Sequence, residues 1–180
     1  DKVEEVNMAG QLFVTDNIGK PKVEAVSQNI YRACNYSKVV ACPEFFTLES
    51  TQRDIMICGF DNMVARKTFY TSWKQYVEDK PEELKKNCLF IDGRLAAEKF
   101  QVFALTGDDV ENMKIYEDTW LFDDSEAAET LCSYKQTTYM ANMIGSIMVN
   151  IYCNFMANLA GSPLPLDVPF KTTYDGGFML

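Results

Sequence analysis

Six residues of apolar character, 55–60, run without a break into Asp61-Asn62 and then into a helical pattern, and this junction constrains the fold more than any other stretch. A short continuous apolar run bounded this way reads as a strand buried on both faces, as in a parallel sheet. The residues after it predict a helix over 63–79 that places Ala65, Phe69, Trp73 and Tyr76 on one face. Upstream, Pro21 at a helix start and Val23, Val26, Ile30 and Ala33 at helical spacing predict a helix over 21–34, then a short strand over 38–42 and a loop over 43–54. Downstream, a charged turn over 80–86 separates strands expected over 88–91 and 100–105. Helix and strand alternate, the pattern of an α/β fold with a mostly parallel sheet and flanking helices.

At 180 residues and 47% hydrophobic composition, the chain is long enough for one domain with a substantial core, expected to span 1–180. Its net charge of -9, with basic residues scattered among acids, excludes a nucleic-acid-binding surface. The six cysteines include no Cys-x-x-Cys pair and the chain has no histidine, which argues against a zinc site. Cys34, Cys42, Cys58 and Cys153 lie in apolar contexts and read as buried thiols, so a reduced, cytoplasmic setting is expected. The first residue, Asp1, reads as the interior of something longer.

Residues 108–129 are acidic, with Trp120, Leu121 and Phe122 embedded, and read as a long exposed loop. From 133 to 160 the pattern is helical, with Met140, Ile144, Ile147, Ile151 and Phe155 in one stripe. Asn142, Ser146, Asn150, Asn154 and Asn158 form a polar seam along the same helix. A lipid-facing helix would not carry that seam, so the expectation is a helix under a sheet or at a dimer interface and no membrane partner. Gly161, Pro163 and Pro165 stop it, and a terminal strand is expected over 170–174.

Two places carry candidate chemistry. Lys22 falls in the first turn of a helix, where the dipole disfavours a cation unless an anion is held there, which suggests a phosphate grip. Asp61 and Asn62 end a buried strand, the end at which open α/β sheets bind ligands, although Asp and Asn are also the preferred helix N-caps.

These same residues carry a resemblance. Asp1, Val3, Asn7 and Gln11, followed by Gly19 and Lys22, are similar to the Asp-x-Val-x-x-x-Asn-x-x-Arg-Gln and Gly-x-x-Lys segments of the ThiF/MoeB-like and ubiquitin-activating adenylating enzymes. Asp61-Asn62 with Arg66 resembles that family's Asp-Asn-x-x-x-Arg run. The resemblance implies a Rossmann-like fold with ATP and Mg²⁺ as cofactors. It implies Lys22 on the ATP phosphates with Asn7 and Gln11 nearby, and Asp61 acting through the metal. The implied reaction is attack of a carboxylate on the α-phosphate to give an acyl-adenylate and pyrophosphate. The implied substrate is the C-terminal glycine of a ubiquitin-like or sulfur-carrier protein, and a homodimer is expected. A carboxylate is already an anion at neutral pH, so no base is needed, which suits a chain without histidine.

Some relatives accept the activated carboxyl on a cysteine; Cys132, near a helix N-terminus that favours a thiolate, is the candidate here. Two departures stand against the resemblance. Gly10 occupies the place of an arginine that touches the nucleotide phosphates, and no Gly-x-Gly-x-x-Gly turn occurs in the chain. In the family that turn would lie upstream of Asp1, so the fold is expected to be incomplete at its N-terminus, with the edge beside 55–60 unpaired. Gly10 favours a rival reading, a non-catalytic partner subunit or interaction module of the same fold. Missing the glycine turn, a dinucleotide-dependent oxidoreductase has little support. Arg66 is expected to brace structure, and the run Cys88 to Arg94 resembles the family's strand toward its substrate surface without an assignable role.

Overall fold

The structure is a computed structural model that describes residues 1–35, 38–123 and 137–178. At its centre is a four-stranded sheet in the order β1 (Ile55–Cys58), β2 (Leu89–Ala96), β3 (Lys99–Thr106) and β4 (Lys171–Asp175). Strands β1 and β2 are parallel, joined through helix α2 (Met63–Glu78) and the short α3 (Glu82–Lys85). Strand β2 pairs antiparallel with β3, and β3 antiparallel with β4. The sheet is therefore mixed, and the expectation of a mostly parallel sheet is corrected. Chain length explains why: only Ala97 and Glu98 separate β2 from β3, whereas a parallel crossover needs about a dozen residues or more. Ala97 adopts φ +52°, as a tight hairpin turn requires.

Alternation along β2 and β3 distributes the core to both faces. Cys88, Phe90, Phe103 and Leu105 meet Tyr70, Trp73 and Val77 of α2 and Met113 of α4 (Val110–Ile115). Leu89, Ile91, Phe100, Val102 and Ala104 meet Met140, Ile144, Ile151 and Phe155 of α5 (Thr138–Leu159) on the opposite face. Layers of helix, sheet and helix result. The buried face of α2 runs through Arg66, Tyr70, Trp73 and Val77, rotated from the expected stripe, and Ala65, Phe69 and Tyr76 are only partly buried.

Helix α5 carries the expected apolar stripe, and its polar seam has a structural use. Asn154 Nδ2 donates to Asp167 O at 2.8 Å, while Asn158 donates to Leu166 O and accepts from Leu166 N, both at 2.8 Å. The seam thereby ties down the segment that leads into β4. Gly161, at φ +81°, follows the helix end. Among the described residues no helix is long and apolar enough to cross a membrane.

Three further expectations are corrected. Residues 38–42 form no strand: Val39 and Val40 are exposed, and among the described residues no strand lies beside them to complete a ladder. The expected loop over 108–129 is ordered in its first half. Asp109 caps α4 by accepting from Asn112 N at 3.1 Å, and a π-helical turn, Tyr116–Trp120, follows with Tyr116 fully buried. Of the thiols expected inside, Cys34, Cys42 and Cys153 are exposed; Cys58 and Cys88 are the buried ones.

Gly107, just after β3, shows how tightly the hairpin end packs against α3. A Cβ there would stand 2.3 Å from Lys85 O, a backbone atom that cannot turn aside. Gly107→Ala is expected to destabilise the protein by about 1–3 kcal/mol through overpacking. Gly145→Ala, in α5 with no atom near the added methyl, is expected to stabilise by about 0.5–1 kcal/mol. Urea unfolding of the two variants checks the opposite signs.

Candidate functional site

Strand β1 ends at Cys58, opposite Asp92, while β2 continues to Ala96. Residues 93–96 thus have no β1 neighbour, and the sheet has a notch where its parallel strand stops. A cavity of about 560 Å³ occupies this place, walled by Asp61 and Arg66 after β1, by Arg94 and Lys99 of the hairpin, and by Phe122 and Met148. It opens beyond the carboxyl end of β1, and its size is in the range of small-molecule sites.

Behind the wall lies Asp92, with no exposed surface. Period two along β2 puts Phe90, Asp92 and Arg94 on the α2 face, so the carboxylate enters the core and must be paired. Arg66 reaches it from the first turns of α2, Arg94 Nε donates to its Oδ2 at 2.7 Å, and the Tyr116 hydroxyl donates to the same oxygen at 2.8 Å. Arg66 also donates to Gly93 O at 3.1 Å and to Phe60 O, which fixes the chain at the end of β1. Arg94 is further held by Trp120 O at 2.9 Å and the Tyr116 oxygen at 3.3 Å, and its guanidinium lies over the Phe103 ring at 4.8 Å. Burial, and then the Asp92 charge, push the Tyr116 phenol well above its ordinary range, so it stays protonated and donating.

The sequence-derived candidates divide. Asp61 stands in the cavity wall; Asn62 Nδ2 donates to its Oδ1 at 3.1 Å, and among the described residues no cation pairs with it. Asn62 is the N-cap of α2, accepting from Ala65 N at 2.8 Å, so the capping role falls to it and leaves the Asp61 carboxylate available. Lys22 is the first residue of α1 (Lys22–Cys34), as expected, but it does not line this cavity: its Nζ lies 3.4 Å from Asp1 Oδ2. The anion that offsets the unfavourable dipole is thus a side chain of the same chain. Asn7 accepts from Glu4 N at 2.9 Å, stabilising its own turn, and Gln11 also belongs to this N-terminal hook, where Val3 and Lys20 exchange backbone bonds with their neighbours. Neither lines the cavity. Arg66 braces structure, as expected. Cys132 lies outside the described residues.

Sequence reasoning left Asp92 and Arg94 without a role. The signal was present: an acid and a base two apart in a strand with apolar neighbours share one face, and a charge on a buried face needs a partner.

The donor set suits a magnesium–phosphate ligand in one respect. Among the described residues no group of three His, Cys, Asp or Glu side chains converges. Mg²⁺ at phosphates is commonly bound through one or two carboxylates, and Asp61 has an oxygen to offer.

Cys58, next to this cluster, is no candidate nucleophile: burial, and then the Asp92 charge, push its thiol up to about 12. Burial, then the Asp54 charge, raise Cys88 to about 11.

No family profile and no curated protein sequence matches this chain. Solved structures do resemble it, among them a crystal structure of selenomethionine PaaA, with a TM-score of 0.62 and 16% identity. The match takes in 97% of this chain and 58% of PaaA, so the chain spans little more than half of that protein's length. Likeness at this identity shows a shared fold.

Two outcomes are expected. Asp92→Ala leaves Arg66 and Arg94 facing each other without their anion and should cost about 3–5 kcal/mol in denaturant unfolding, the usual penalty for breaking a buried pair. Iodoacetamide at pH 8 should label exposed Cys42 and Cys153 in the native protein and reach Cys58 and Cys88 only after denaturation, as read by peptide mass spectrometry.

Proposed function

We propose that the full-length protein adenylates a carboxylate, the C-terminal glycine of a ubiquitin-like or sulfur-carrier protein, using ATP and Mg²⁺ at the β1-end cavity, and that it works as a homodimer. The observation that carries this reading is Asp61: an acid with no ion pair among the described residues, just beyond the end of β1, in a cavity that Arg66 and Arg94 also line. The spacing of Asp61-Asn62 and Arg66, and of Asn7, Gln11, Gly19 and Lys22, adds the resemblance to ThiF/MoeB-like enzymes.

In this reading the chain positions its ligands and stabilises their charge. When bound, Mg²⁺ supplies neutralisation of the phosphate charge. Asp61 offers it an oxygen, and the Arg94 guanidinium in the cavity wall holds developing negative charge. Lys22 enters this reading through the resemblance alone, since it does not line the cavity and its Nζ lies beside Asp1. Asn7 and Gln11 lie on the hook that carries Lys22.

A second reading, a non-catalytic partner subunit or interaction module, is favoured by two observations: Gly10 replaces an arginine of the resembled motif, and Lys22 is paired away from the cavity. Exchange of labelled pyrophosphate into ATP by the full-length protein separates them. The adenylating reading expects exchange that falls by roughly 100-fold or more in Asp61→Ala and Lys22→Ala, as loss of charge-stabilising groups does elsewhere. Absence of exchange with every carrier protein offered supports the second reading.

A further inference from the structure

We propose that Arg94, seated by Asp92, is an anion-binding residue of the cavity and takes a carboxylate or phosphate oxygen of the ligand. The assignment rests on the reading above in one respect, that the cavity is where ligand binds. It does not depend on adenylation.

Charge balance is the first argument. Arg66 and Arg94 both contact Asp92, so two guanidiniums share one buried carboxylate; the other carboxylate of the cavity wall, Asp61, pairs with neither of them among the described residues. The arginine side chains are 9% and 13% exposed, respectively, so water screens their charge poorly. The other nearby cation is already matched, since Lys99 Nζ lies 2.6 Å from Asp175 Oδ2. The two guanidiniums at one carboxylate make a locally cationic spot in the cavity wall of a protein whose net charge is -9, so it is not part of a general basic surface.

Donor count is the second. A guanidinium has five N–H groups. In Arg94 the Nε group goes to Asp92, one on Nη1 to Trp120 O and one on Nη2 to Tyr116. Among the described residues each terminal nitrogen keeps one N–H without a partner, in a group already immobilised by three bonds and by the Phe103 and Tyr116 rings at 4.8 and 5.7 Å. Its side-chain freedom was given up on folding, so an anion that binds there meets a preorganised receptor. Phe122, 5.9 Å from the guanidinium, and Met148 add apolar wall, which strengthens a charged contact by excluding water. Arg66 has the same anion beneath it, but its bonds to Phe60 O and Gly93 O commit it to the backbone.

Carboxylate and phosphate share this chemistry, and two probes separate them. Inorganic pyrophosphate and N-acetylglycine are titrated separately into the full-length protein in EDTA, followed by calorimetry, so that no metal at Asp61 contributes. At least one should bind to the wild type. Its affinity should fall about tenfold or more in Arg94→Gln, the size expected for a lost charge-assisted hydrogen bond, fall less in Arg94→Lys, and change less than about twofold in Lys86→Gln, an exposed cation outside the cavity. Circular dichroism checks folding, and if Arg94→Gln does not fold, Arg94→Lys supplies the comparison. No binding of either probe to the wild type, or equal affinity in wild type and the folded Arg94 variants, overturns the proposal. Arg94-dependent binding without pyrophosphate exchange sinks adenylation and keeps the anion site; exchange that is indifferent to Arg94 does the reverse.

Discussion

Asp92 organises the molecule around its notch. One carboxylate without solvent contact draws together β2, the start of α2 and the π-helical turn after α4, three pieces of chain far apart in sequence. Every oxygen of that group is engaged, and Arg66 goes on to fasten the chain at the end of β1. A buried ionic cluster contributes little net stability compared with apolar packing of the same volume. What it does supply is a fixed arrangement, because each member loses heavily if any other moves. The cavity owes its cationic wall to that arrangement.

The cavity itself comes from unequal strand lengths. Parallel strand β1 stops after four residues, and the hairpin β2–β3 runs on past it. Backbone at the far end of β2 then has no strand on that side, and side chains from both sheet faces come round the end of β1 to enclose the space. Phe122 and the arginines arrive from the α2 side, Met148 and Ile144 from α5. A longer β1 would have filled the gap with main chain.

Much of this was legible from residues alone. The apolar run ending in Asp61-Asn62 gave the strand, the helix after it and the place of Asp61. The five-residue apolar stripe gave α5. Other features required tertiary information. Strand β2 carries Asp92, Gly93 and Arg94, which local propensity reads as a strand end. Their pairing with β3 and with Arg66 keeps the strand going to Ala96, and the sheet's direction changed with it. Val39 and Val40 look like a strand, but among the described residues no strand pairs with them. For Lys22 the helix position was legible, whereas the carboxylate of Asp1 beside its amine was not, since no pattern in sequence distinguishes a ligand phosphate from a nearby carboxylate.

Strand β1 lies at one end of the sheet order, and Ile57 on it is half exposed. Among the described residues its outer row of amides and carbonyls meets no further strand. Such a rim is a template on which any extended polypeptide can crystallise its hydrogen bonds, and neither a lysine nor a proline within the strand guards it. The outer edge of β1 is accordingly where a further extended chain would add to the sheet.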